Sequence, residues 1–283
     1  MSFSEYMNLE LKLGALKLAR DVLGVKSGEN VLIYGDTGTD RRVMDATAEA
    51  AYALGGVPVT IIYETRTRPG IEPPKPVAAA MCAADILIEY ATSYTLYTNA
   101  FWDAMNRGNV RYIDLPGMYV DMMVRCIARV NYSKMVELGE RLVELTKNSS
   151  KFRVTSGAGT DLTVTIDKDM VRHSGRIITK PAPPGSPHQW ATLGGQVGFA
   201  PIWGSANGLM VFDGCISPPR EVGVLKEPVR LTVKDSRITK IDGGIQAKMF
   251  ERWLRSIEDP HMFDLVHVCY GFNPGVREVT GNI

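Results

Sequence analysis

The residue best suited to chemistry in this sequence is His267, which interrupts the apolar run Leu265-Val-His-Val-Cys269. The run predicts a β-strand, and it leads directly into the turn-forming segment Tyr270–Gly275. A histidine inside such a strand needs a hydrogen-bond partner or a metal ion once it is buried. The chain has no HxH, HxxxH or carboxylate cluster around His267, so residue chemistry alone leaves a satisfied core histidine as the favoured alternative.

His188 is the second candidate, and it lies in the Pro-rich loop segment Gly185–Trp190. A loop held by a rigid scaffold could carry the imidazole of His188 and the indole of Trp190 into a cleft. A surface loop without a function is the alternative. The other two histidines, His173 and His261, lie beside charged or turn-forming residues, and we expect exposed loop positions for both.

The composition points to a small-molecule partner. The 283 residues include 32 basic and 31 acidic side chains without a long run of either sign, so nothing indicates nucleic acid or an anionic membrane as partner. No apolar stretch approaches the roughly 20 residues of a membrane span, and the N-terminus lacks the pattern of a signal peptide. The four cysteines form no CxxC pair and read as reduced thiols, so we expect a cytoplasmic protein.

Strands that alternate with helices form the first half of the chain. Hydrophobic periodicity predicts helices at residues 9–23, 41–54, 77–83 and 97–107 and strands at residues 30–35, 57–63, 85–90 and 110–113. Such alternation is typical of a parallel sheet covered by helices. The sequence therefore predicts an α/β domain over residues 1–131, with a doubly wound, mostly parallel sheet.

The pattern of predicted secondary structure changes after residue 131. A long helix at 133–147 precedes short β-type segments that flank two hairpin-like turns, at residues 157–161 and 234–237. A helix at 246–257 and a strand at 263–270 complete the pattern. We expect an α+β, largely antiparallel C-terminal domain over residues 132–283.

The segment Asp36–Asp40 follows the first strand and opens a helix, a place where a doubly wound sheet often binds phosphate. It contains neither GxGxxG nor GK[ST]. A tight turn with Thr39 or Asp40 as the helix cap is the favoured interpretation.

Two glycine-rich segments, Gly194–Pro201 and Gly204–Gly208, could line a cleft or simply thread tight turns. Together with Val25–Ile33, Val211–Gly214, and His267 followed by Gly271-Phe-Asn-Pro-Gly275, they resemble one superfamily in this order. That superfamily joins the aminopeptidase T peptidases to the 2,5-dihydroxypyridine 5,6-dioxygenases. The resemblance covers nearly the whole chain and implies a metalloenzyme.

The resemblance is closer to the dioxygenase branch. Aminopeptidase T resembles a two-metal hydrolase in which two glutamates bind the metals, and the corresponding positions here are Gln196 and His267. A neutral glutamine is a poor ligand for two dications, so the hydrolase interpretation is weakened. The dioxygenase branch implies His267 as one ligand of a two-histidine, one-carboxylate iron(II) site, open to a diol and O₂. The same branch implies that His188 takes a proton from the substrate hydroxyl as general base.

The dioxygenases carry their other two ligands as a His-x-Asp pair beyond the Asn-Pro turn, whereas this chain stops at Ile283. We expect an incomplete C-terminal domain, with loss of the iron as the alternative. Proximity in sequence suggests Trp190 and Tyr270 as aromatic walls and Arg277 as a partner for a substrate oxyanion.

The resulting hypothesis is an extradiol-type, non-haem iron(II) dioxygenase that degrades a hydroxylated N-heteroaromatic such as 2,5-dihydroxypyridine, and relatives suggest a homo-oligomer. The alternatives are a metallo-aminopeptidase with zinc or cobalt, and a non-catalytic small-molecule-binding protein on the same scaffold.

Overall fold

The computed structural model describes residues 7–173, 175–184, 186, 190–279 and 281. The chain divides into two compact units, which are described separately below. The first unit comprises residues 1–136, 174–195 and 273–276, and the second comprises residues 137–173, 196–272 and 277–283. The predicted boundary at 131/132 lies near the first change of unit, but two later segments return to the first unit, which the sequence did not indicate.

The described elements alternate between helix and strand in the first half of the chain and are mostly strands in the second. The helices are α1 (Asn8–Lys17), α2 (Arg41–Ala53), α3 (Lys75–Ala83), α4 (Asn99–Met105), α5 (Val120–Met123), α6 (Tyr132–Lys147) and α7 (Ile245–Ser256). The strands are β1 (Asn30–Asp36), β2 (Val57–Tyr63), β3 (Ile86–Glu89), β4 (Arg111–Asp114), β5 (Lys151–Thr155), β6 (Asp161–Thr165), β7 (Arg172–His173), β8 (Trp190–Thr192), β9 (Gln196–Phe199), β10 (Asn207–Phe212), β11 (Cys215–Ile216), β12 (Gly223–Val224), β13 (Val229–Lys234), β14 (Arg237–Asp242) and β15 (Val268–Gly271). Within the described chain, every helix is too short or too polar to span a lipid bilayer.

A parallel five-stranded sheet in the order β2-β1-β3-β4-β8 forms the first unit. This confirms the predicted doubly wound sheet. The fifth strand, β8, was not predicted because its three residues are too few to show an alternation. Its pairing with β4 explains why the chain returns to this unit after the second unit has begun.

The turn Asp36–Asp40 is a capped helix start, as predicted. The carboxylate of Asp40 accepts a hydrogen bond from the backbone N–H of Arg42, at 3.2 Å. A side-chain acceptor at this position satisfies one of the free N–H groups of the first helical turn.

Antiparallel strands dominate the second unit, which confirms the predicted C-terminal architecture. One sheet has the order β14-β13-β10-β6-β5, and a smaller one has the order β15-β9-β7. Both predicted hairpins are present, since β5 pairs with β6 and β13 with β14. Apolar side chains from β6, β9 and α6 pack together as a core of this unit.

The predicted strand at 263–270 is wrong in its first half. Residues Pro260–Phe263 form a 3₁₀ turn, and Asp264 accepts a hydrogen bond from Arg237 at 2.9 Å. Asp264 forms an isolated antiparallel bridge with Arg237 of β14, so this stretch lies beside β14 and β15 begins only at Val268. His267 therefore stands immediately before the strand and not inside it.

Candidate active site

The imidazole of His267 lies against Gly198 of β9. A Cβ atom at position 198 would come within 2.6 Å of the His267 Nε2 atom and within 3.4 Å of the Cys269 Cβ atom. Gly198 pairs with Cys269 in the antiparallel register of β9 and β15. The ring thus occupies the space that a side chain at position 198 would need.

His267 is exposed on one side and covered on the other. The residue is exposed, yet part of the imidazole is covered, and the resulting desolvation lowers the pKa of the ring below its ordinary value. Burial disfavours the charged form of a histidine. The neutral imidazole is the form that binds metal ions, so the position suits a ligand.

One face of the small sheet carries Gln196, Gly198 and Cys269. Side chains alternate along a strand, so Gln196 and Gly198 of β9 share the face that carries Cys269 of β15. Gln196 is half-buried and lies opposite Gly271. Gln196 therefore lies two positions from the glycine that His267 covers.

Tyr270 lies on the opposite face of β15. Its hydroxyl oxygen is 2.8 Å from the Thr146 hydroxyl of α6, and its ring stacks on Phe152 at 5.5 Å with an angle of 18° between the ring planes. The alternation of a strand places residues 269 and 270 on different sides. The structure therefore does not bring Tyr270 next to His267 as an aromatic wall, because its ring and hydroxyl are used to pack the core.

The remaining predicted residues are distributed over both units. Trp190 belongs to the first unit, where it is half-buried and packs edge-on against Phe101 and Trp102 at centroid distances of 5.7 and 5.9 Å. Arg277 belongs to the second unit and is exposed. His188 lies outside the described residues.

A complete metal site is not formed by the described residues. Among them, no group of three or more histidine, cysteine, aspartate or glutamate side chains is placed to hold a metal ion. Of the predicted ligands, His267 is the one that lies within the described residues. One imidazole does not satisfy the two-histidine, one-carboxylate requirement of a mononuclear iron centre.

His173 corrects an expectation from the sequence, which placed it on the surface. It lies on β7, is 2% exposed, and contacts Phe272 with ring centroids 5.7 Å apart and an angle of 31° between the ring planes. A Cβ atom at Gly139 would meet its ring at 2.5 Å. The sequence signal that was missed is the charged Arg172 between Val171 and His173, because such alternation is typical of a strand with one buried face.

The Asn-Pro-Gly turn and the glycine-rich segment, two of the motifs noted above, pack together in the first unit. The Asn273 side chain donates hydrogen bonds to the carbonyl oxygens of Gly194, at 2.8 Å, and Cys126, at 3.2 Å. Gly195 has a φ of +96°, and a Cβ atom there would lie 2.5 Å from the Asn273 Cβ atom. The glycine at position 195 and the hydrogen bonds of Asn273 therefore allow the backbones of the two motifs to pack closely against each other.

Comparison with known proteins agrees with this fold. The dihydroxypyridine dioxygenase of Pseudomonas putida KT2440 has a similar fold, with a TM-score of 0.72, 18% identity and coverage of 99% of this chain and 80% of that one. Wild-type AmpT from Thermus thermophilus is also similar, with a TM-score of 0.63, 12% identity and coverage of 93% and 78%.

No curated protein sequence matches the chain. The sequence profile of the NicX family, described as 2,5-dihydroxypyridine 5,6-dioxygenase, matches residues 15–279. The match extends from α1 to the residues beyond the Asn-Pro-Gly turn. The chain belongs to the 2,5-dihydroxypyridine 5,6-dioxygenase family.

Proposed function

We propose that this protein is a dioxygenase that opens the ring of a hydroxylated N-heteroaromatic such as 2,5-dihydroxypyridine, with O₂ as the second substrate. The observation that carries the proposal is the family match over residues 15–279, which includes the His267 segment. The neutral, half-covered imidazole of His267 supports it, because such a group is ready to bind a metal ion.

Fe(II) is the proposed cofactor, with His267 as one ligand. The metal would supply a place where the diol and O₂ meet in one geometry. The described residues contribute one ligand near this position, and we assign none of the others. A site with two metal ions is disfavoured by Gln196, because a neutral amide cannot balance the charge of two dications.

Residues of the chain would bind and orient the ring. His188 keeps its proposed role as the base that removes a proton from the substrate hydroxyl, and Arg277 and Trp190 keep theirs as oxyanion partner and aromatic wall. These three roles rest on the family resemblance and on sequence. The extradiol type of cleavage, a cytoplasmic location and a homo-oligomeric state are proposed on the same basis.

Oxygen uptake tests the proposal. The full chain, loaded anaerobically with Fe(II), is expected to consume O₂ when 2,5-dihydroxypyridine is added, with loss of the ring absorbance in equal molar amount. His267→Ala should abolish uptake and reduce the bound iron. His261→Gln is the matched control, because His261 is an exposed histidine of the same unit, and it should leave uptake unchanged.

Two results would contradict the proposal. The first is absence of O₂ uptake with every dihydroxypyridine tested, although iron is bound. The second is turnover of leucyl-p-nitroanilide in anaerobic buffer with zinc or cobalt, which would assign the protein to the peptidase branch.

A further inference from the structure

The side chain of Cys269 lies beside the imidazole of His267. Both approach one point, the position that a Cβ atom would take on Gly198: the His267 Nε2 atom is 2.6 Å from that point, and the Cys269 Cβ atom is 3.4 Å from it. Gly198 and Cys269 are paired residues of β9 and β15, so both belong to one face of the small sheet. The imidazole and the thiol-bearing carbon therefore meet over the same glycine.

The spacing of these two residues in the sequence accounts for their meeting. Val268 stands between them, pairs with Phe199 of β9 and packs against the core of the second unit. Successive side chains of a strand point to opposite faces, so Cys269 is turned away from that core. His267 reaches the same outer face, since its ring covers Gly198, and both residues are exposed.

The protein itself does not engage either group. Among the described residues, the imidazole of His267 and the thiol of Cys269 have no hydrogen-bond or ion-pair partner. Gly198 adds no side chain that could fill the space between them. A nitrogen donor and a sulfur donor on one exposed face are thus available to a ligand from solution.

Imidazole together with thiolate is a donor set that selects a particular class of metal ion. Zinc sites are built from these two groups, whereas mononuclear iron(II) oxygenases use two histidines and a carboxylate. With bonds of about 2.1 Å to nitrogen and 2.3 Å to sulfur, a tetrahedral zinc ion holds the two donors about 3.5 Å apart. The sulfur of Cys269 is one bond beyond its Cβ atom, so rotation about χ1 can bring it toward the imidazole.

We propose that His267 and Cys269, which we call the imidazole–thiol pair, bind Zn(II) through an imidazole nitrogen and the thiolate sulfur. Water fills the remaining positions. Within the described chain, no group of three histidine, cysteine or carboxylate side chains is placed to hold a metal ion, so the affinity should be moderate, on the order of 1–100 µM. Binding replaces the thiol proton, which passes to solvent, and the complex keeps one positive charge.

Zinc at the imidazole–thiol pair inhibits the oxygenase reaction. This consequence rests on the proposed function, in which His267 is a ligand of Fe(II). On a common set of donors zinc binds more tightly than Fe(II), and a soft thiolate increases the difference. Zinc therefore takes His267 from Fe(II), and Cys269 is the residue that gives it the advantage.

Cobalt(II), which takes the place of zinc in such sites, tests the imidazole–thiol pair by absorbance. A thiolate bound to cobalt(II) gives a sulfur-to-metal charge-transfer band in the near ultraviolet, whereas nitrogen and oxygen ligands do not. The full chain is titrated anaerobically with cobalt(II) in the absence of any substrate, and zinc is then added. The band should grow until one cobalt ion is bound per chain, and zinc should abolish it.

Variants identify the sulfur that binds the ion. Cys269→Ser should remove the band and weaken zinc binding by at least about 100-fold, which is the upper range for groups that only support a ligand. Cys215→Ser is the matched control, because Cys215 is a half-buried free cysteine of the same unit, and it should keep the band. Alkylation of the unaltered protein gives a second readout if Cys269→Ser does not fold: zinc should slow the reaction of iodoacetamide with Cys269 at least tenfold and leave Cys215 unaffected.

Absence of the band in the parent protein, a full band in Cys269→Ser, or equal alkylation of Cys269 with and without zinc would overturn the inference. The inhibitory consequence is measured by oxygen uptake, where zinc should inhibit the parent at a concentration at least tenfold lower than it inhibits Cys269→Ser. If the cobalt band appears but no dihydroxypyridine supports oxygen uptake, the proposed function fails and the zinc site is retained. Oxygen uptake without the band gives the reverse result.

Discussion

Gly198→Ala is the sharpest perturbation of the candidate site, because it moves His267 and little else. The added Cβ would lie 2.6 Å from the His267 Nε2 atom, whereas ordinary contacts begin at 3.4 Å, so the ring must shift by about 0.8 Å. Gly198 does not need a positive φ, and its new neighbour is the far end of a side chain. The backbone of β9 can therefore keep its register.

The expected result is a loss of activity without a loss of stability. A shift of about 1 Å in a reacting group can cost about 100-fold in rate, so we expect kcat/KM to fall by about that factor. Alanine restricts the unfolded chain more than glycine does, so the free energy of unfolding should change by at most about 1 kcal/mol. Oxygen uptake with 2,5-dihydroxypyridine and urea denaturation measure the two quantities.

Gly157→Ala is the matched control, because no atom lies within 4 Å of a Cβ at that turn position in the same unit. It should retain full activity. If Gly198→Ala folds and keeps kcat/KM within twofold of the parent protein, the position of His267 does not matter to the reaction, and its assignment as a ligand fails.

Three further outcomes follow from the contacts of other residues. Asn273→Ala should lower the free energy of unfolding by about 2–4 kcal/mol in urea, because two buried carbonyl oxygens lose their donor. The same change at the exposed Asn148 should have little effect, and equal losses would contradict the role of Asn273. Tyr270→Phe should cost about 1 kcal/mol of stability and leave activity unchanged, because the Tyr270 hydroxyl is hydrogen-bonded to Thr146 of α6. A tenfold loss of kcat/KM would instead indicate that Tyr270 contacts the substrate. Because the folded pKa of Glu89 is raised to about 7 from 4.5, the folded state binds more protons between these values, so stability should fall as pH rises through this window. Glu89→Gln should flatten this dependence of stability on pH, which amounts to about 3 kcal/mol at most and is shared with Asp114. An unchanged slope would contradict the interpretation that Glu89 and Asp114 are a buried pair that titrates together.

Local patterns predicted much of the fold. The strand Val57–Tyr63 and the helix Arg41–Ala53 were expected within one residue of their observed ends. Continuous apolar runs, helical spacing and glycine stops act over a few residues, so one stretch of sequence contains the whole signal. The three-residue β8 carries too little pattern to be detected, and its identity as a strand depends on the edge of β4.

The candidate site was predicted only in part. The sequence singled out His267, because a histidine among apolar residues is conspicuous, but it placed the residue inside a strand. It also treated Tyr270 as a neighbour, whereas strand alternation turns its ring into the core beside Phe152. Proximity in sequence is a poor guide within a strand, since adjacent residues face opposite sides.

The sequence by itself determined most of the element types, the parallel and antiparallel halves, and the family to which the chain belongs. Tertiary structure alone decided that His267 covers Gly198, and that Glu89 and Asp114 stand side by side. In the sequence those two carboxyl groups merely end separate strands. Periodicity in the sequence predicts which face of its own strand a residue occupies. Which side chains of other strands lie beside it depends on the register between the strands, and that register is set by the packing of the whole unit.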